Sequence, residues 1–289
     1  MNVARRRPGR RADNGTALLL VLWIIVMLTA LAGAFTLTAR VESLQGRVLD
    51  DGARLHELTR AGLEYALARI SDPDPGRAWR PDGRPYRLRF ADADIEVRIV
   101  DESGKVDLNQ ADAGLLAALM RTQGVDDARA RRLAAAIVDW RDPDPLQQPG
   151  GAEDADYAAA GLPYGAKDQP FESLAEVEQV LGMDRQTFAR LQPYLTLHSG
   201  RAQPDPAFAS EPVLTALGLQ PETWMAQRRS GAGNGTLVGQ GTGTYSVESR
   251  ARQGQGRVAT LRAVVRAGGG PIPGSAYVAL GWDENVVSR

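Results

Sequence analysis

From Thr16 to Leu37 the chain carries an apolar run broken only by threonines and one glycine. As a helix of about 22 residues rising about 1.5 Å each, it crosses a hydrocarbon core of about 30 Å. Beyond it the helical period persists. Val41, Leu44, Val48, Leu55, Leu58, Gly62 and Tyr65 fall at three- and four-residue steps, with Asp51 the one polar interruption. The pattern predicts one helix running from the apolar segment to Ser71, where the prolines and glycine of "SDPDPG" stop it. The stripe is expected to pack against partner helices.

The period then changes. "YRLRFA" and "DIEVRIVDE" alternate, with Ile95, Val97 and Ile99 on one face and "ADAD" as the turn between two strands. From Asp107 to Trp140 the pattern is helical, with two helices around a turn at Gly124. Asn109 or Asp112 is placed to cap the first and Asp126 the second. The stretch from Phe171 to Thr196 repeats the plan: a Ser173 cap, a helix, a turn at Gly182, an Asp184 cap and a helix. A weaker copy runs from Asp205 to Arg229, where "DPAFASEPVLTAL" follows "DLNQADAGLLAAL" in register. The block reads as helix-hairpin-helix-like αα-hairpins. A glycine-rich loop follows, then the strands "TYSVESRAR", "RVATLRAVVRA" and "AYVALGW", turning at "QGQG" and "GGGPIPG". The expected class is α+β, with an antiparallel sheet on the N-terminal helix and a helical domain inserted between strands.

That reading divides the chain into a basic leader (1–15), a transmembrane helix (16–37) and a second half of the same helix (38–72). The first strands (85–106), an inserted α-domain (107–230) with an acidic loop (139–157), and the last strands (244–289) complete it.

Net charge is −1, so the informative charge is local. The first fifteen residues hold five arginines against Asp13. With no cysteine, disulfides, thiolate metal sites and cysteine nucleophiles are excluded. His56 and His198 lie far apart, which argues against a multi-histidine site. No G-x-S-x-G, H-E-x-x-H or P-loop is present, and the G-x-G-x-x-A spacing of "GQGRVA" leads into a strand. No enzyme is expected. The hairpin turns "QGVDD" and "LGMDR" set acids beside the glycine, where they would repel phosphate, so no nucleic acid is expected either.

"DWRDPDPLQQPGGAEDADY" is the densest chemistry in the chain. Asp139, Asp142, Asp144, Glu153, Asp154 and Asp156 crowd against Arg141 alone. Prolines stiffen the first half, and Pro149-Gly150-Gly151 permits a reversal. The register is not that of an EF-hand. Two readings stand: a solvated acidic loop, or a site for a hard cation such as Ca²⁺.

A basic leader ending in glycine before an apolar helix resembles the type IV prepilin-like family. The resemblance implies that a prepilin peptidase cuts after Gly15 and leaves Thr16 as the methylated first residue. A signal peptidase cut after Ala30-Leu31-Ala32 is the alternative, and the helix continuing past it counts against that. Most of the family carry glutamate at the fifth mature position. Here that position is Leu20. A lone intramembrane carboxylate is costly and persists only with a partner. The missing glutamate, the helical insertion and the terminal strands together resemble the minor pseudopilin K family of type II secretion systems.

This resemblance implies a subunit at the tip of the periplasmic pseudopilus, promoting its assembly for export of folded proteins. Its partners would be the minor pseudopilins I and J, then H. It would be a single-pass inner-membrane protein, the arginines keeping the N-terminus cytoplasmic. The resemblance also implies one or two Ca²⁺ ions held by Asp142, Asp144, Glu153, Asp154 and Asp156, with Asp139 as a further candidate. A minor pilin of a type IV pilus and a membrane-anchored DNA-binding protein of competence type are the alternatives.

Overall fold

The computed structural model describes residues 14–74, 76–90, 92–230, 241–253, 257–268 and 276–288; side chains at 14–17, 37–51, 230 and 286–288 are not among those described. The leader therefore lies outside the described residues. Gly15, Thr16, Val41, Leu44 and Val48 are described only as helical positions.

Helix α1 (Asn14–Ile70) is the single helix that the period demanded. The chain falls into two units, Met1–Arg54 and Leu55–Arg289. In the first, Leu18–Thr36 has mean hydropathy 2.7 and none of it is buried, which makes it long and apolar enough to cross a membrane. Leu20 sits there as an exposed apolar side chain.

The second unit opens with the last turns of α1. They lie on a five-stranded antiparallel sheet ordered β1-β2-β5-β6-β7. Its strands are β1 (Asp82–Phe90), β2 (Ala93–Asp101), β5 (Thr244–Gln253), β6 (Arg257–Ala267) and β7 (Tyr277–Ser288). The alternation in β2 is literal: Ala93, Ile95, Val97, Ile99 and Asp101 are buried and their neighbours are not. The short strands β3 (Val106–Asp107) and β4 (Leu195–Thr196) pair in parallel inside the insertion.

Leu55, Leu58, Leu63, Ala66 and Leu67 fill the core between α1 and the inner face of β2, β5 and β6. Leu55 and Leu58, expected on a face for partner helices, are thus 1% and 5% exposed within the chain's own core. The helical period announces a buried stripe but does not say what covers it. Tyr65, by contrast, stays 43% exposed. It meets the Trp79 ring edge-on, centroids 5.5 Å apart, and Trp79 stacks on Tyr86 at 4.2 Å. Gly62 marks the closest approach of helix and sheet, because a Cβ there would lie 2.3 Å from Ser249 Oγ and 2.9 Å from Ile95 Cγ2.

Between β2 and β5 the chain builds a second core from α2 (Ala113–Thr122), α3 (Asp127–Arg141), α4 (Asp154–Ala159), α5 (Arg185–Leu191), α6 (Glu211–Ala216) and α7 (Pro221–Ser230). Asp112, Asp126 and Asp184 cap their helices by accepting from backbone N–H groups three residues on. Asn109 is no cap. Its amide instead bonds both the N–H and the carbonyl of Phe171. The segment after Ser173 is a short 3₁₀ helix, Leu174–Gln179, and not the predicted α-helix. A Ser173–Glu176 capping box starts it, but Val180 is already extended, with Val177 and Val180 both buried in the core.

Glu102 ties the two cores together. Its buried carboxylate accepts from Lys105 Nζ at 2.7 Å, from Ser246 of β5 and from Thr196 of β4. A buried charge with one cation and two hydroxyls is paired on all sides.

Candidate functional site

The acidic loop begins where α3 ends. Pro143 disfavours helical backbone at Asp142, which caps α3 in an extended conformation. The chain then folds back over the end of α3 because Asp139, fully buried, accepts from Gln148 N at 3.0 Å and Ala152 N at 2.8 Å. Gly151 is required at that crossing, since a Cβ would stand 1.9 Å from Asp139 Oδ2. Gly150 turns the chain with a φ of 81°. The two halves of the acidic run are brought together as their spacing allowed.

The six candidate carboxylates differ in what they have left to offer. Asp144 Oδ1 closes a local turn with Leu146 N at 2.9 Å. Asp156 Oδ2 accepts from Glu153 N at 3.0 Å and from Gln147 Nε2 at 2.9 Å, as half of the capping box that starts α4. Asp154 Oδ1 accepts from Ala166 N at 3.0 Å. Asp142 and Glu153 are different: Asp142 Oδ1 and Glu153 Oε1 are buried and have no hydrogen-bond partner. A buried oxygen without a donor is costly, more so when charged.

Electrostatics agree with the geometry. Burial, then repulsion by Asp139, Asp168, Asp142 and Asp154, pushes Glu153 up to about 7. Burial and the neighbouring Asp144 and Asp139 raise Asp142. Burial also raises Asp139, although the Gln148 and Ala152 N–H groups oppose it, and Asp156 and Asp144 add to the rise. Asp168 is a contributor that the sequence did not single out. It lies 26 positions after Asp142, alone in "GAKDQP". It has a φ of 54° and donates its N–H to the Trp140 carbonyl at 3.0 Å. A left-handed aspartate is uncommon, but it is invisible to spacing rules.

Beneath the loop, Trp140, Tyr157, Tyr164 and Phe171 form an aromatic cluster with centroids 5.8 to 6.3 Å apart. Tyr157 is completely buried and its hydroxyl accepts from Leu181 N at 3.1 Å. Burial drives this phenol up to about 12. The loop is thus seated on a rigid base.

Among the described residues, no three acidic or histidine side chains converge in metal-holding geometry. The donor chemistry nevertheless suits a hard cation. Two orphaned buried oxygens and several mutually repelling carboxylates give an all-oxygen set, with Arg141 turned away onto the carbonyls of Leu108 and Ala111. The helical hairpins suit phosphate poorly. Asp126 and Asp184 occupy the helix N-termini beside Gly124 and Gly182, and Arg129 pairs with Asp184.

Comparison with known proteins bears on the same region. Residues 96–200 match the family model for type II secretion system protein K. The chain is 29% identical over 204 residues to type II secretion system protein K of Klebsiella pneumoniae, covering 63% of this chain and 62% of that one. It is 26% identical over 214 residues to the same protein of Pectobacterium carotovorum subsp. carotovorum, covering 64% and 63%. It therefore matches a little under two thirds of the length of these curated relatives. The fold resembles, with a TM-score of 0.54 and 19% identity, a chain in the crystal structure of the GspK–GspI–GspJ complex from the enterotoxigenic Escherichia coli type 2 secretion system. That likeness covers 86% of this chain and 99% of the other. The resemblance drawn from leader, insertion and strands thus meets a family match that runs from β2 through most of the insertion, and a pilin-like α+β fold.

Proposed function

We propose, taking the chain as a member of the type II secretion system protein K family, that it is a minor pseudopilin placed at the tip of the pseudopilus. The observation that carries this is the helical domain inserted between β2 and β5 of a sheet packed on the last turns of α1, in a chain whose Leu18–Thr36 is long and apolar enough to cross a membrane. A bulky insertion suits a cap better than a repeating subunit. The apolar Leu20, where related subunits carry a glutamate, removes the need for a neighbour that neutralises a carboxylate in the membrane. Leu18–Thr36 anchors the protein, the arginine-rich leader stays cytoplasmic, and the sheet and insertion lie in the periplasm. The leader is removed after Gly15. The work is assembly, with pseudopilins I, J and then H as partners, and not catalysis.

The acidic loop binds Ca²⁺ in this reading. Asp142 and Glu153 supply the free oxygens, and Asp139, Asp144, Asp154 and Asp156 surround them. The ion would neutralise the repulsion and hold the loop against α3. Asp168 joins the set through its charge on both free acids.

Because Leu55 and Leu58 are committed to the internal core, partner contacts are assigned to the part of the stripe before them. Val41→Glu is expected to abolish co-purification of the full chain with pseudopilins I and J while leaving its thermal melt unchanged. Undiminished co-purification would remove the stripe from the assembly interface.

A further inference from the structure

The outer face of the sheet, turned away from α1, is polar and ordered by cross-strand register. One row is Arg98, Glu248, Arg262 and Asp283, alternating in sign across β2, β5, β6 and β7. It is internally balanced, and Arg262 Nε meets Glu248 at 3.1 Å. Towards the β1–β2 turn the balance is lost. Glu96 lies between Arg87 of β1 and Arg250 of β5, and Asp94 between Arg89 and Arg252. Four guanidiniums face two carboxylates around an open groove of about 580 Å³.

Glu96 is already satisfied by Arg87 and Arg98, both at 3.1 Å, and these two hold its carboxyl below the usual range. Arg89, Arg250 and Arg252 are exposed and make no ion pair among the described residues. Their positive charge is free for a visitor.

We infer that this groove docks an acidic segment of another polypeptide, laid along β1 and β5 with carboxylates at every second residue. The spacing carries the choice. Arg87 and Arg89 are two apart on β1, and Arg250 and Arg252 two apart on β5, which places each pair about 6.6 to 6.8 Å apart along its strand. An extended peptide repeats same-side side chains at the same interval. The guanidinium fork matches a carboxylate with two parallel hydrogen bonds. Asp94 and Glu96, between the arginine columns, would repel any anion held over the middle of the groove, so the visitor's charges must be spaced to sit over the guanidiniums. β1 is also an edge strand, with Phe90 exposed at its end, so a neighbouring chain has backbone and an apolar contact within reach.

The test uses the full chain in nanodiscs of neutral lipid and fluorescence anisotropy of two labelled octapeptides. One alternates aspartate and serine; the other has the same residues in two blocks. The alternating peptide is expected to bind more tightly, and to weaken as salt rises from low to physiological strength. Arg250→Glu with Arg252→Glu is expected to weaken it by about tenfold or more, since reversed charges at a contact repel. Arg262→Glu, on the balanced row, is expected to change it by less than about twofold. All three sites are exposed, so each variant should still melt cooperatively, lowered only modestly by the like charges set opposite Asp94, Glu96, Glu248 and Asp283. Equal binding of the two peptides, or binding that survives the double reversal, would overturn the proposal. So would capture of anionic phosphatidylglycerol vesicles through these arginines without peptide binding, which would assign the groove to a lipid surface.

Discussion

The protein carrying Glu153→Gln is expected to lose its calcium-dependent rise in melting temperature and, without metal, to melt higher than the parent at pH 8. The two effects share one cause. In the folded state the Glu153 carboxyl sits at about 7, against an ordinary value of 4.5. The folded protein therefore holds this proton more tightly than the unfolded chain. Its contribution to stability is fully present below about pH 4.5 and is lost as pH rises through about 7. The metal-free parent should thus melt progressively lower from pH 5 to pH 8. The glutamine variant, with no proton to lose there, should show a flatter profile. Calcium reverses the logic by favouring the ionised carboxylate, so its affinity should rise with pH over the same window. At an ion concentration of about 100 times the dissociation constant, binding stabilises by about 2.7 kcal/mol. For a unit of this size that is a rise of roughly 5 to 10 °C. Differential scanning fluorimetry with Ca²⁺ or a chelator reads both effects. If the parent shows no calcium shift, or Glu153→Gln keeps a full one, the cation reading of the loop fails.

Gly62→Leu is expected to be the most damaging single change in the sheet unit. A Cβ alone would come within 2.3 Å of Ser249 Oγ and 2.9 Å of Ile95 Cγ2, on the adjacent strands β5 and β2 beneath α1. Overpacking a close-packed site costs about 1 to 3 kcal/mol when neighbours can yield. Here the sheet has little room to move, so the helix must lift. Lifting it uncovers Leu55, Leu63 and Ala66, each at most 1% exposed, so the cost should exceed that range. The expected result is loss of the cooperative melt and rapid proteolysis. Gly52→Ala is the control, because nothing lies within 4 Å of a Cβ there and alanine is favoured in a helix by about 1 kcal/mol. It should melt no lower than the parent. A Gly62→Leu protein with a parental melt would show that α1 does not press on the sheet at this point.

Much of this architecture was legible from local pattern. Alternation at Ile95, Val97 and Ile99 named the inner face of β2, and Asp112, Asp126 and Asp184 named helix starts by their own backbone chemistry. What escaped was long-range. The stripe at Leu55 and Leu58 read as an interface because periodicity does not distinguish the chain's own strands from a partner. Which acids of the loop keep a free oxygen depended on backbone donors at Gln148, Ala152 and Ala166, whose approach only the folded loop sets. Asp168 enters through a left-handed turn. The arginine groove needs the register of strands more than 150 residues apart in sequence, and the charge pattern along either strand alone does not reveal it.

The proposed pseudopilin must be processed at its leader before it can be assembled. The most direct measurement is the intact mass of its mature N-terminus, from cells with and without the prepilin peptidase. A start at methylated Thr16 that depends on the peptidase is the predicted result. A start at Gly33, after Ala30-Leu31-Ala32, would rule the pseudopilin out, because the helix that must enter the pseudopilus would have been cut through.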